Sequence, residues 1–299
     1  GPITGLPPLF ERISIDLNLS SSQSGLLTSL PLLAFAVFAP IASWLSQRFL
    51  IERVLAVGVG LIAIGMVARS FGFTSTLYLG VTFIGMGIAI GNVLLPSLLK
   101  RQFPNHIVQL TAVYVLMMNI GGFLMASFAV PLSQFAERPN FPLNMSGWSF
   151  ALACQTIIIV LPIVVWFSCK ITQNQLPKMS GVSAGESIWG SKTAWQVSGF
   201  LAFNSLVCYI VLAWMPSILM SNGYADSTAG LYQGYLQLAG VLPSLILTPF
   251  IHRLGSQRRL CLFATGLTWL SLLGFLYIPN WSGIWSVCFG FGISMGFIL

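Results

Sequence analysis

The sequence predicts an all-α, polytopic membrane protein made of two parallel helix bundles. Three observations carry that prediction: a composition almost without charge, apolar runs long enough to cross a bilayer, and one glycine phrase written twice. Of 299 residues, 56% are hydrophobic and 6% charged, whereas a soluble domain carries about 25% charged residues. So few charges cannot cover a water-facing surface, so the apolar excess faces a lipid bilayer. The net charge of +7 raises the question of nucleic acid. The basic residues, however, are spread thinly between apolar runs, as loop charges are, and form no phosphate-binding face. No nucleic-acid partner is expected.

A helix needs about 20 mostly apolar residues to cross a bilayer. Such runs lie at 24–46, 54–73, 76–98, 106–132, 147–169, 196–220, 228–251, 259–278 and 282–299. Residues 1–9 read as the tail of an earlier span, and the last run ends without a polar exit. When the loops are sorted to alternate sides, Arg48, Arg53, Lys100, Arg101, Lys170, Lys178, Lys192, Arg253, Arg258 and Arg259 fall together, against Arg12, Arg69 and Arg138. The richer side is the cytoplasmic one by the positive-inside rule. The polar stretch 171–195 reads as a cytoplasmic linker between a first bundle, 1–170, and a second, 196–299. The five cysteines, among them Cys154 and Cys208, lie in or beside apolar runs without metal-ligand spacing. They read as small buried apolar groups; neither a metal nor a cofactor is expected.

The glycine phrase is GMGIAIG, with Gly85, Gly87 and Gly91, and its second copy is GFGISMG, with Gly290, Gly292 and Gly296. The two stand 205 residues apart, and the same offset maps Ser22, Gly25, Leu26, Arg48 and Arg53 onto Ser227, Gly230, Leu231, Arg253 and Arg258. The copies begin six spans apart and so point the same way. That is a parallel repeat about an axis along the membrane normal, the arrangement of transporters of the major facilitator type. Gly87 with Gly91, and Gly292 with Gly296, are spaced four apart on one helix face, where small residues let backbones approach closely.

The run GNVLLPSLLKRQFP (Gly91 to Pro104) resembles the signature of the cyanate and 2-nitroimidazole transporter family, a branch of the major facilitators. GLLTSLPLLAFAVFAP (Gly25 to Pro40) and AWQVSGFLAFNSLVCYIVLAWMPSILMSNGY (Ala194 to Tyr224) resemble it too. The resemblance implies a twelve-span fold, of which this chain would lack most of the first span, part of the tenth and the last two. It implies a secondary transporter of a small polar or anionic solute, cyanate-like or nitroimidazole-like, in the cytoplasmic (inner) membrane. It also implies alternating access and not enzyme chemistry. The alternative is a proton-coupled exporter of drug-like compounds. The segments SQRFLIER and HRLGSQRR resemble the family's cytoplasmic loop motif through Arg48, Arg53, Arg253, Gly255 and Arg258. Gln47 and His252 stand where the motif has Asp. The motif implies a latch between helix ends. No oligomeric state is fixed by the sequence; a monomer is the expectation.

A carrier needs polar groups at mid-membrane, where they are expensive unless they meet water, solute or one another. Counting along the spans gives Asn92, Tyr114, Asn119, Asn204, Tyr209, Trp214, Gln233 and Gln237 as substrate-binding candidates, with Thr4 joining them if the first residues are a helix tail. Gln237 is the deeper of the two glutamines and the preferred contact. Arg69 is expected to snorkel to the headgroups, and Trp148, Trp281 and Trp285 to anchor span ends. All six acids read as loop or linker residues.

Overall fold

The computed structural model describes residues 2–138, 145–168, 190–247 and 257–298. Among them it is all-helical: α1 (Phe10–Asp16), α2 (Ser21–Arg48), α3 (Ile51–Ala68), α4 (Thr74–Gln102), α5 (Ile107–Ala136), α6 (Gly147–Ser168), α7 (Lys192–Ser221), α8 (Asp226–Ala239), α9 (Val241–Leu247), α10 (Gln257–Tyr277) and α11 (Ser282–Ile298). Helices α2 to α7 and α10 are long and apolar enough to cross a membrane. Their outer faces carry the apolar excess, with Ile157, Leu161, Phe203 and Leu276 about 70% exposed. The lipid-facing surface takes over the role that charge has in a soluble protein.

The span expected as one helix over 228–251 is two, α8 and α9, parted at Gly240. Pro243 explains the break. Its ring clashes with the carbonyl of Ala239, four residues earlier, and it has no N–H to give. The linker expected over 171–195 lies outside the described residues as far as 189. Beyond it α7 starts inside the expected linker, capped by Ser191, which accepts from the Ala194 N–H at 3.3 Å.

The opening residues are well packed. A 3-10 turn at Pro7–Leu9 leads into α1, and Leu6, Leu9, Phe10 and Ile13 sit in a core with Leu77 of α4, Val130 of α5 and Leu152 of α6. The offset of 205 identifies this segment. The C-cap of α1, Leu17, maps to Asn222, the C-cap of α7. Asn18, at φ +49°, maps to Gly223, at φ +88°. Ser20, the N-cap of α2, maps to Ala225, the N-cap of α8. α1 is thus the counterpart of the last turns of α7. Both turns need a left-handed residue, which glycine and asparagine supply at least cost.

The glycines show the same registry. A Cβ on Gly85 would lie 3.1 Å from Pro31 of α2, and one on Gly290 would run into the main chain of Leu236 of α8, the residue 205 positions on. A Cβ on Gly87 would strike Gly58 and Ile62 of α3, and one on Gly292 would meet Ala264 and Thr268 of α10. So α4 lies on α2 and α3 as α11 lies on α8 and α10. Gly85 and Gly87 thus serve two different neighbours. The expected pairing of Gly87 with Gly91 on one packing face does not hold, because nothing lies within 4 Å of a Cβ on Gly91.

Between the bundles, α5 packs along α8 and α9, and the 3-10 turn packs on α7 and α8. The seam is built from small groups. A Cβ on Gly230 would lie 3.0 Å from the Ala126 carbonyl oxygen, Gly234 faces Ser127 and Phe123, and Gly122 faces the Gln237 side chain.

Two outcomes test this packing. Gly87→Val is expected to lower thermal stability by about 1–3 kcal/mol through overpacking, whereas Gly91→Ala is expected to hold or raise it by up to about 1 kcal/mol; thermal unfolding of the detergent-solubilised protein reads both. The second concerns Pro216, which leaves the Leu212 carbonyl of α7 without its helical donor. The Nε2 of Gln233, fully buried, donates to that carbonyl at 2.8 Å. Gln233→Leu is expected to cost about 1–3 kcal/mol and clearly less in a Pro216→Ala background, where the main chain supplies the donor; a double-mutant cycle measures the difference.

Candidate functional site

Each helical candidate lies within about 12 Å of its helix midpoint at 1.5 Å rise per residue, and Thr4 precedes the first helix. Tyr114 and Trp214 are nearest that limit, Trp214 towards the Arg12 end of the molecule. The structure sorts the candidates into two sets. One lines a gap between the bundles, and the other is held in contacts within the helices.

The gap is read from exposure at four positions: Asn92 of α4 is exposed, and Phe35 of α2, Tyr114 of α5 and Tyr209 of α7 are partly exposed. The Tyr114 hydroxyl donates to Oδ1 of Asn92 at 3.2 Å, and Asn92 is exposed. Tyr209 meets Phe35 edge-on across the bundles at 6.2 Å, within electrostatic range of Tyr114. Pro96, inside α4, strips the Asn92 carbonyl of its helical donor. Position 92 therefore offers a side-chain amide and a spare main-chain acceptor at one place. Rings, an amide and a carbonyl facing a gap suit a flat solute that both donates and accepts hydrogen bonds.

The second set is committed to the protein. Asn119 is buried and donates to the Val115 carbonyl of its own helix at 2.9 Å. Thr4 donates to the Gly122 carbonyl at 3.2 Å, which joins the opening segment to α5. Gln237, by contrast, lies half-buried against Gly122 at the seam between the bundles and is not tied in this way. Asn204, which has no polar neighbour in sequence, donates to the Ile293 carbonyl of α11 at 3.2 Å and covers Gly296. Trp214 stacks edge-on against Phe10 at 5.9 Å and is 40% exposed.

Several expectations change. Arg69 does not snorkel. It is 1% exposed, with Nη1 donating to the Pro2 carbonyl at 2.6 Å and Nη2 to Oε1 of Gln155 at 3.1 Å. The opening segment, α4 and α6 pack over it, and Gly80 lets α4 close in, since a Cβ there would lie 2.6 Å from the Arg69 main-chain nitrogen. Trp148 is no interface anchor either; it is 2% exposed and donates to Asp16 at 2.6 Å. Trp281, at 60% exposed, is free of such contacts.

The acids are not loop residues. Glu11 and Asp16 lie in α1, Glu52 and Asp226 in the first turns of α3 and α8, and Glu137 caps α5. Only Glu186 lies outside the described residues. Glu52 pairs with Arg101 at the far end of α4 and accepts from Gln102 at 3.3 Å. Of the loop-motif residues, Arg48 covers the Trp44 ring of its own helix at 4.1 Å and Arg53 is exposed. Arg253, Gly255 and the side chain of Arg258 lie outside the described residues. The described tie between helix ends there is Glu52 with Arg101.

At the opposite end is a network that reading the spans one by one had missed. Arg12 of α1 pairs with Glu137 at 2.5 Å and with Asp226 at 3.1 Å, and also donates to Ser133 at 3.3 Å. Partial burial works against the Arg12 charge, but the two carboxylates outweigh it and hold its pKa above the usual arginine value. The available signal was the clustering of Glu11, Asp16, Glu137 and Asp226 at helix ends on the side that carries few basic residues.

The family comparisons agree with this architecture. The family description "Major Facilitator Superfamily" matches residues 3–299. The chain is 37% identical over 297 residues to the 2-nitroimidazole transporter of Escherichia coli (strain K12), covering 99% of this chain and 73% of the relative. It is 23% identical over 299 residues to the cyanate transport protein CynX of the same organism, covering 99% and 75%. Among solved structures, a D-xylose–proton symporter superposes with a TM-score of 0.76 at 14% identity, over 98% of this chain and 76% of that one. With its paired bundles, its repeat and these matches, the chain belongs to the major facilitator superfamily of transporters, in the branch that holds the 2-nitroimidazole and cyanate transporters.

Proposed function

We propose that this transporter carries a small, flat, polar solute, nitroimidazole-like or cyanate-like, through the gap between its bundles by alternating access. The observation that carries the reading is the lining of that gap: the Asn92 amide hydrogen-bonded to Tyr114, with Tyr209 and Phe35 facing it from α7 and α2. A planar ring fits between aromatic side chains, and its polar edge finds the amide and carbonyl of Asn92. The relatives named for 2-nitroimidazole and cyanate support this chemistry. Gln237, half-buried beside the seam, is the further contact on the second bundle. The end carrying Lys100 and Arg101 faces the cytoplasm in this reading, and the end carrying Arg12 faces outward.

The test is transport by the full-length protein in proteoliposomes, with labelled 2-nitroimidazole and cyanate as probes. Asn92→Ala and Gln237→Leu are each expected to lower the initial rate about tenfold, the loss of one hydrogen bond to the solute, at unchanged protein content. Glu11→Gln, remote from the gap, is expected to leave the rate unchanged. Full rates in both site variants would remove these residues from the path.

A further inference from the structure

We propose that Arg12 is a latch that holds the two bundles shut at its own end, and that breaking its bond to Asp226 is the step that opens the carrier there. The proposal rests on the alternating-access reading above. Arg12 belongs to the first bundle and Asp226 to the first turn of α8 in the second. Nε and Nη2 of Arg12 both donate to Oδ2 of Asp226, at 3.3 and 3.1 Å. Nη1 instead serves Glu137 and Ser133 of α5, inside its own bundle. The guanidinium therefore has a fixed side and a releasable side. Glu137 keeps it aimed in either state, and the bond to Asp226 exists only while the bundles touch.

What lies beneath makes such a latch necessary. Below the ion pair, the α5–α8 seam includes Gly230 against the Ala126 carbonyl and Gly234 against Ser127 and Phe123. Small residues give close contact but no interlocking side chains, so two smooth surfaces can part without repacking. Charge-assisted hydrogen bonds are the strongest contacts available to close them. A cleft of about 220 Å³, lined by Pro8, Glu11, Arg12, Ile15, Met220 and Asp226, opens beside the pair. Water there can solvate both charges when they separate, which keeps opening from stranding an ion in a dry place.

The experiment uses the full-length protein with its native cysteines replaced and Ser127→Cys as reporter. Ser127 is 5% exposed on the seam just below the latch, and the exchange barely changes its size. A membrane-impermeant charged maleimide is applied to right-side-out and to inside-out vesicles, so the readout does not depend on orientation or on knowing the solute. With the latch intact, labelling from the Arg12 end is expected to be slow. Asp226→Asn and Arg12→Gln should each speed it about tenfold, and the double variant no more than either alone, since both remove one bond. Asp226→Glu should stay slow, Glu137→Gln should give a smaller increase, and Glu11→Gln none. Labelling within twofold of the parent in Asp226→Asn and Arg12→Gln would overturn the latch, as would equal acceleration by Glu11→Gln. If Asp226→Asn does not assemble, Arg12→Gln carries the same test from the other bundle. A carrier that moved neither labelled probe would still give this readout, so the latch and the solute reading fail separately.

Discussion

In hydrocarbon no water waits to satisfy a main-chain carbonyl, and each one left bare costs several kcal/mol, on the order of the price of a lost core side chain. This constraint organises the molecule. Helices α2, α4, α5, α6 and α7 all carry an internal proline, and each proline takes the donor from the carbonyl four residues back. At Leu212 the freed carbonyl is enclosed, and Gln233 from the neighbouring α8 meets it. Where it faces the gap, as at Asn92, it stays available to something that enters from water. The same substitution in sequence, proline within an apolar run, thus produces a structural tie in one place and a binding surface in another. The surroundings decide which.

The glycine phrase acts within that constraint. Helices in lipid gain little from burying apolar surface against one another, so close backbone approach has to supply the cohesion. Gly85 and Gly87, with Gly290 and Gly292, let α4 and α11 lie directly on the main chains of their neighbours. The cost in helix propensity of about 1 kcal/mol per glycine is offset by dispersion along the whole contact. The same close approach recurs at the seam between the bundles, at Gly230 and Gly234.

Most of the fold was legible because composition and periodicity act over many residues at once. The all-helical class, the parallel repeat and the family rested on dozens of positions, and single misreadings did not disturb them. What could not be read was local and depended on three-dimensional neighbours. Pro243 divides a span that hydropathy reads as continuous. Asn204 finds a carbonyl 89 residues away. Arg12, Glu137 and Asp226 lie far apart in the chain and meet only because three helices end at one level. Of the candidate polar residues, depth alone could nominate them but could not tell a side chain that faces the gap, such as Asn92, from one already engaged, such as Asn119. The acids were misplaced because helix ends extend beyond the apolar runs that define them, and for Glu11, Glu52 and Asp226, in first turns, the charge suits the helix dipole.

Arg69 shows what burial means for the order of assembly. Its partner Gln155 follows it by 86 residues. At a synthesis rate of roughly 5–20 residues per second, about 4–17 s pass before that amide is made. During the interval the guanidinium has no enclosing neighbours on α6, and its long stem lets it rest among the lipid headgroups. Burial of this arginine is therefore complete only once α6 has been made and packed.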